Sequence, residues 1–394
     1  MRIAIVWGDD VSSDDFAGSA KGQELGEFCA ALAGHGHMVT AHPRQQVEQP
    51  AEQIQRPYLT VPARVGPPAP VSPAHALPFV GEWAAELTRH WSTEPPDVVH
   101  SFGWLGGLAA QLAARRLQLV TVQSFHGLAV TDARPGTGQP ADSERARLEP
   151  LLIRGAAWVT AGSSEELDVL ARLRRNRART SVLATGIDVE RYTCTDPTWV
   201  DHGTHRILQV APNLEPRNGF DRTVRALPHV PDSELVIAET SASDARNKKH
   251  RTQLKRMATE LGVSNRVHFA GCVATEDIPP LLWSADVVAC TPRLAPRATS
   301  ALQAMASGRA VVGTAVGALI DTVVSNVTGV LVSPNKPQEL AAALKTMQQQ
   351  RFQRQSMGSA GRSRVMSRFT WDRIAQDALS IYDQTSPAKI SVTA

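Results

Sequence analysis

Residues 286–314 read DVVACTPRLAPRATSALQAMASGRAVVGT. Behind the leading aspartate, the apolar run Val287–Thr291 has the length and make-up of a buried strand. A loop holding two prolines and two arginines follows. Ser300–Ser307 then carries apolar residues at helical spacing and stops at Gly308, and Ala310–Thr314 is a second buried strand. A strand, a helix and a strand in such quick succession make a βαβ unit with parallel strands.

The same alternation extends outward in both directions. Before it come a strand at Arg206–Ala211, a helix at Gly219–Leu227, a strand at Glu234–Ala238, a helix at Asn247–Leu261, a strand at Arg266–Ala270 and a short helix near Ile278–Ser284. After it come a helix near Leu319–Val324, a strand at Gly329–Val332 and helices over Pro337–Gln350 and Gly361–Asp383. The first half repeats the scheme, with strands at Ile3–Trp7, Val39–His42, Asp97–Ser101, Leu119–Ser124 and Trp158–Ala161. Helices fall between them at Gln23–Gly34, Phe79–Trp91, Gly106–Arg116 and Ser143–Gly155, and another opens at Ser163 or Ser164 with Glu165 and Glu166 in its first turn. Seven prolines between residues 57 and 78 mark a surface loop. Residues 190–204 have no period and predict a domain boundary. The fold class is therefore α/β, with two Rossmann-like domains and a cleft between them. The expected organisation is an N-terminal domain over 1–192, a C-terminal domain over 205–365, and a last helix in 366–394 packing back on the first. Ligands of such sheets bind at the carboxyl ends of the strands, so the cleft is the expected site.

The chain has 394 residues, 42% of them hydrophobic and 20% charged, which fits two globular domains and excludes a disordered or collagen-like protein. Lys and Arg number 41 against 38 Asp and Glu, a net charge of +3, which gives no electrostatic reason to expect nucleic acid. No stretch reaches about 18 apolar residues without charge, so no membrane span is expected and the protein reads as cytoplasmic. Cys29, Cys194, Cys272 and Cys290 lack metal-ligand spacing and read as reduced structural thiols. The basic runs RLRRNRAR at 172–179 and RNKKHRTQLKR at 246–256 have no interleaved aromatics and read as solvated helix faces.

ILQVAPNLEPRNGFD at 207–221 and DVVACTPRLAPRATSALQAMASGRAVVGT at 286–314, followed by AVGALIDTVVSNVTGVLVSP, resemble the retaining glycosyltransferases of family 4, which have the GT-B fold. DVVHSFGWLGG at 97–107, TVQSFHGL at 121–128 and ATGIDVERY at 184–192 agree in order and spacing, and the plan is similar to members acting on inositol- or aminocyclitol-type acceptors. The resemblance implies transfer of a sugar from a nucleoside-diphosphate sugar to a small-molecule acceptor with retained configuration. It implies no cofactor and no obligatory metal, with the nucleotide-sugar donor mainly on the C-terminal domain (205–365) and the acceptor mainly on the N-terminal domain (1–192). In the family, an Arg and a Lys in the loop after the first strand of that domain face the diphosphate, and an E-x7-E pair fixes sugar and ribose.

This chain departs from that pattern. Asn213 and Asn218 align with the two cations, and Ala295 and Gln303 with the two glutamates; the glycine-rich turn after VIAE is Thr240-Ser241-Ala242-Ser243. One reading is a degenerate pseudoenzyme that binds a nucleotide sugar or a partner protein. The other is a rebuilt donor site, in which Asn213 and Asn218 donate hydrogen bonds, Gln303 bonds ribose, and Arg217, Arg293 or Arg297 meets the diphosphate. A weaker third reading is coupling without glycosyl transfer. In the rebuilt site the helix opened by Thr299, Ser300, Ala301 and Leu302 offers backbone N–H groups to the diphosphate. Gly18, in the loop before the first helix, allows close approach to phosphate, with Lys21 nearby. His126 is the candidate catalytic residue, able to donate to a sugar hydroxyl or share the acceptor's proton. His100 and Trp104 are the candidate acceptor contacts. A hydroxyl and a thiol acceptor both stay open, in natural-product or antibiotic assembly, and a homodimer is left open.

Overall fold

The computed structural model describes residues 1–8, 20–44, 56–67, 71–125, 127–132, 143–176, 178–193, 204–241 and 245–385. It divides into two compact units. The first draws its described residues from Met1–Asp132, Pro140–Gly186 and Trp371–Ala394, the second from Ile187–Thr370.

The first unit holds a seven-stranded sheet of β1 (Arg2–Trp7), β2 (Met38–Pro43), β3 (Leu59–Thr60), β4 (Val98–Phe102), β5 (Thr121–Ser124), β6 (Trp158–Ala161) and β7 (Thr180–Val182). Its order is β3-β2-β1-β4-β5-β6-β7 and every pairing is parallel. Strand periodicity distributes β1 between two layers. Ile3 and Ile5 pack with Phe28, Leu32, Ile374 and Tyr382 on one face, while Ala4 and Val6 pack with Trp83, Leu105 and Ile153 on the other. The helix 371–385 thus covers the sheet of the first unit although it follows the second in sequence.

The second unit holds β8 (His205–Ala211), β9 (Ser233–Glu239), β10 (Val267–Cys272), β11 (Val287–Cys290), β12 (Ala310–Thr314) and β13 (Gly329–Val332) in the order β10-β9-β8-β11-β12-β13, again all parallel. Ile207, Leu235, Ile237 and Val287 meet Val224, Leu254 and Leu344 of the covering helices. Each such side chain contributes about 1.5–3 kcal/mol through burial. Both sheets reverse their strand order, at β1/β4 and at β8/β11, which is where a doubly wound sheet opens a crevice at its carboxyl ends.

Three expectations need adjustment. The first unit ends at Gly186, not near residue 192, because 187–193 is stitched to the second unit. Ile187 N donates to Phe369 O at 2.8 Å and Trp283 Nε1 to Tyr192 O at 3.2 Å. The proline-rich stretch contains β3 and the short helix Pro73–Ala76. The tail is two helices, Arg351–Arg368 and Trp371–Thr385, broken where Thr370 bridges Ile187. The start of the 163–174 segment follows the sequence closely. Ser163 Oγ accepts from Glu166 N at 3.1 Å, and the Glu166 carboxylate accepts from Gly162 N at 2.7 Å, one residue ahead of the N-cap, a variant of the capping box.

Candidate functional site

At the carboxyl ends of β8, β11 and β12, three loops are fastened to one another. The turn after β8 closes at Gly219, whose φ of +73° only glycine adopts without strain. A side chain there would also meet the Thr291 carbonyl. Buried Gln209 on β8 organises the turn. Its Nε2 donates to Asn218 O at 3.0 Å and to Thr291 Oγ1 at 3.1 Å, while Thr223 Oγ1 donates to its Oε1 at 2.7 Å. Thr291 Oγ1 in turn donates to Gly219 O at 2.9 Å. The loop after β12 joins through Thr314 Oγ1 to Pro292 O at 2.8 Å and through Ala318 N to Ala295 O at 2.8 Å. Gly317, at φ +48°, lets its backbone lie against Ala295.

The charges in these loops are paired within the chain. Arg293 forks onto Asp221 at 2.9 and 2.8 Å, a bidentate bond that raises the arginine's pKa further, and its backbone N–H donates to Arg217 O at 2.7 Å. Arg217 Nε lies 2.8 Å from Glu215. Arg222 donates to Pro292 O at 3.2 Å, and burial lowers its pKa. The arginines expected to stand open to a diphosphate at 217 and 293 are therefore held by carboxylates, and Arg297 is half-buried in the loop after β11. Asn213 and Asn218 depart from expectation as well. Asn218 Nδ2 donates to Asn213 O and Oδ1, both at 2.9 Å, and Asn213 Oδ1 also accepts Glu215 N at 3.1 Å. The two amides build the turn instead of projecting from it, because a tight loop must first satisfy its own polar groups.

The helix Thr299–Ala306 begins behind this cluster. Its N-cap residue, Ala298, gives no side-chain cap, so the leading N–H groups are those an anion would take. Ser300 Oγ donates to Val210 O at 2.9 Å, tying the helix start to β8. Ala301 and Leu302 are buried, so any contact they make with a ligand runs through backbone. Gln303 Nε2 donates to Tyr192 Oη at 2.9 Å, so part of the amide expected at the ribose is already engaged.

Sequence reading missed Glu239. It ends β9 fully buried, and its carboxylate accepts from Asn247 Nδ2 and Arg251 Nη2. Asn247 Oδ1 accepts Leu214 N at 2.7 Å, so the helix 245–260 anchors the loop after β8. The run 246–256 is thus more than a solvated face: Lys248, Lys249 and Lys255 are exposed, but Arg251 is structural. Similarly Arg174, in the other basic run, donates to Ala156 O at 3.1 Å. The available signal was a carboxylate closing an apolar strand, where burial demands a cationic partner. Beside the 214–221 loop lies a pocket of about 300 Å³, walled by Glu215, Asp221, Arg225, His250 and Met257 and by no residue of the helix 299–306.

In the first unit, His100 and Trp104 belong to the core. His100 is fully buried, with Nδ1 2.7 Å from Tyr382 Oη and Nε2 2.7 Å from Ser124 Oγ, and burial pushes its pKa down to about 3. Trp104 is 2% exposed. Neither presents a surface to an acceptor here. Gly18, His126 and the side chain of Lys21 lie outside the described residues, as does Cys194. Cys29 and Cys290 are buried, the latter with its thiol pushed up to about 12, and Cys272 is exposed. Among the described residues, no group of three His, Cys, Asp or Glu forms a metal-ligand cluster, and no helix is long and apolar enough to cross a membrane.

Comparison with known proteins adds the following. Residues 25–191 match the model of Glycosyltransferase Family 4, and residues 200–364 that of Glycosyl transferases group 1. The D-inositol 3-phosphate glycosyltransferase of Salinispora tropica is 28% identical over 312 residues, covering 73% of this chain but 64% of the relative. That of Jonesia denitrificans is 28% identical over 312 residues, covering 74% and 72%. Among solved structures, sucrose-phosphate synthase from Thermosynechococcus elongatus superposes with a TM-score of 0.85 at 20% identity, over 99% of this chain and all of that one. Anabaena HepE in complex with UDP and glucose gives 0.75 at 19% identity, over 98% of this chain and 100% of that one. At these identities the structures establish the fold, GT-B with two Rossmann-like domains.

Proposed function

The chain belongs to the family 4 glycosyltransferases of the GT-B fold, and from that premise we propose that it moves a sugar from a nucleoside-diphosphate sugar to a small polar acceptor with retention of configuration. The observation that carries this reading is the start of the helix 299–306, which has no side-chain cap and is set among fastened loops at the carboxyl end of β11. Expulsion of a nucleoside diphosphate builds negative charge on its bridging oxygen. Fixed amide dipoles aimed there stabilise that charge without reorganising, and one such donor is worth roughly 10²–10³ in kcat. Arg217 adds charge if the diphosphate displaces Glu215, since a group carrying about two charges outcompetes one carboxylate. Arg297 lies in the loop leading to the same helix.

Relatives named for inositol 3-phosphate, found at 28% identity, favour a polyol or aminocyclitol hydroxyl as acceptor. A thiol needs less base catalysis and fits the loss of charged donor residues. A role in the assembly of a specialised metabolite accords with either. The test is calorimetry with UDP, GDP, ADP and TDP, followed by nucleotide release from the matching sugar donor when an inositol or a thiol acceptor is added. Binding with acceptor-dependent release supports transfer. Failure to bind any of the four would leave the second reading, a pseudoenzyme, which the in-chain pairing of Arg217 and Arg293 favours.

A further inference from the structure

The segment leaving β5 is gripped by an ion pair from the helix Ser143–Gly155. Glu149 is 2% exposed. One of its carboxylate oxygens accepts Ala129 N–H at 2.8 Å, and the other accepts Arg145 Nε at 2.6 Å. Arg145 reaches back through Nη2 to the Gly127 carbonyl at 2.5 Å. The two backbone groups flanking Leu128 are thus both bound by one ion pair. Leu128 itself is fully buried, and its own N–H and C=O are taken by Thr131 Oγ1 at 3.2 and 2.7 Å. The backbone from Gly127 O to Ala129 N therefore has a named partner for every polar group.

Buried ion pairs are poor devices for stability alone, because desolvation offsets their attraction and a well-packed apolar pair does as well. They are good devices for fixing a geometry, since a fork and a carboxylate accept few alternatives. This one is placed at the carboxyl end of a central strand, where doubly wound sheets present ligand-binding loops. In sequence, Gly127 directly follows His126, the candidate catalytic residue.

We propose that Arg145 and Glu149 are positioning residues that set the backbone beside His126, and so govern turnover without touching nucleotide affinity. This inference rests on the reading of that loop as part of the transferase site. Three variants test it: Glu149→Gln, Arg145→Lys and the apolar pair Arg145→Met/Glu149→Leu. In each, amide exchange at Leu128 and Ala129 is expected to quicken and kcat to fall at least tenfold, with the Kd for the nucleoside diphosphate unchanged. The apolar pair removes both buried charges but leaves Gly127 O and Ala129 N–H unpaired, so it is expected to melt above Glu149→Gln yet below wild type and to recover none of the kcat, a split that a merely structural role would not give. Wild-type exchange rates in all three variants would overturn the grip. A wild-type kcat in the apolar pair, beside a His126→Ala variant that has lost turnover, would overturn the positioning role alone. A wild-type kcat in His126→Ala as well would overturn the reading of the loop.

Discussion

Replacing Gly219 by alanine tests whether the three fastened loops are one unit. At φ +73° an L-residue costs roughly 1–2 kcal/mol in backbone strain. The added Cβ would stand 1.7 Å from the Thr291 carbonyl oxygen, so the turn or the strand end must shift by more than about 1 Å. Such a shift breaks three hydrogen bonds that cross this point: Thr291 Oγ1 to Gly219 O at 2.9 Å, Gln209 Nε2 to Asn218 O at 3.0 Å, and Arg293 N to Arg217 O at 2.7 Å. At about 1 kcal/mol each, together with the backbone strain, the total is about 4–5 kcal/mol. Gly262 supplies the control. Its φ is +69°, but nothing lies within 4 Å of an added Cβ, so Gly262→Ala carries only the backbone part, about 1–2 kcal/mol. Urea unfolding and nucleotide calorimetry on both variants decide the matter. In Gly219→Ala the difference appears either as lost stability of the second unit or, if the turn opens instead, as nucleotide affinity weakened about 10²-fold or more. If Gly219→Ala matched Gly262→Ala in both stability and affinity, the loops would be independent and the reasoning wrong.

Three other outcomes follow from the structure. Glu215→Gln is expected to tighten nucleoside-diphosphate binding several-fold by releasing Arg217, and Arg217→Ala to weaken it; calorimetry giving no change in either would show that Arg217 does not meet the ligand. Burial pushes His42 and His100 down to about 3 from the usual 6.5, so both are neutral in folded and unfolded chains above pH 6.5, and between there and pH 3 only the unfolded chain takes up the proton. Stability therefore falls with acid, by about 2 kcal/mol per histidine at pH 5, and His100→Gln should lose correspondingly less than wild type between pH 7 and pH 5 in chemical unfolding. Tyr382→Phe leaves the buried His100 Nδ1 without its 2.7 Å partner and should lower the stability of the first unit by about 1–3 kcal/mol, with no effect on nucleotide affinity.

The alternation of strands and helices was legible because burial on both faces writes itself into the sequence as apolar runs. Trp158–Ala161, Ala310–Thr314 and Gly329–Val332 fall where the runs do. The three-residue β7 and two-residue β3 are edge strands, too short and too exposed to leave such a run. For the candidate site, the resemblance sets Asn213, Asn218, Ala295 and Gln303 against the family's cation and glutamate positions, but it says nothing of what those side chains do in place of charges. Asn213 and Asn218 answer to the nearest unsatisfied backbone groups, and Arg217 and Arg293 to the nearest carboxylates, which are two and 72 residues away in sequence. The second of those pairings depends on β8 and β11 being neighbours, a fact of topology that no local pattern contains. Paired in this way, the donor-side loops carry little uncompensated charge. On the reading proposed above, affinity for a diphosphate would depend on amide dipoles, which sequence drift leaves intact, and on Arg217, which the ligand would have to win from Glu215. A site of that kind would bind its nucleotide more weakly than one built on a free Arg and Lys, and would make the opening of the Arg217–Glu215 pair part of recognising the donor.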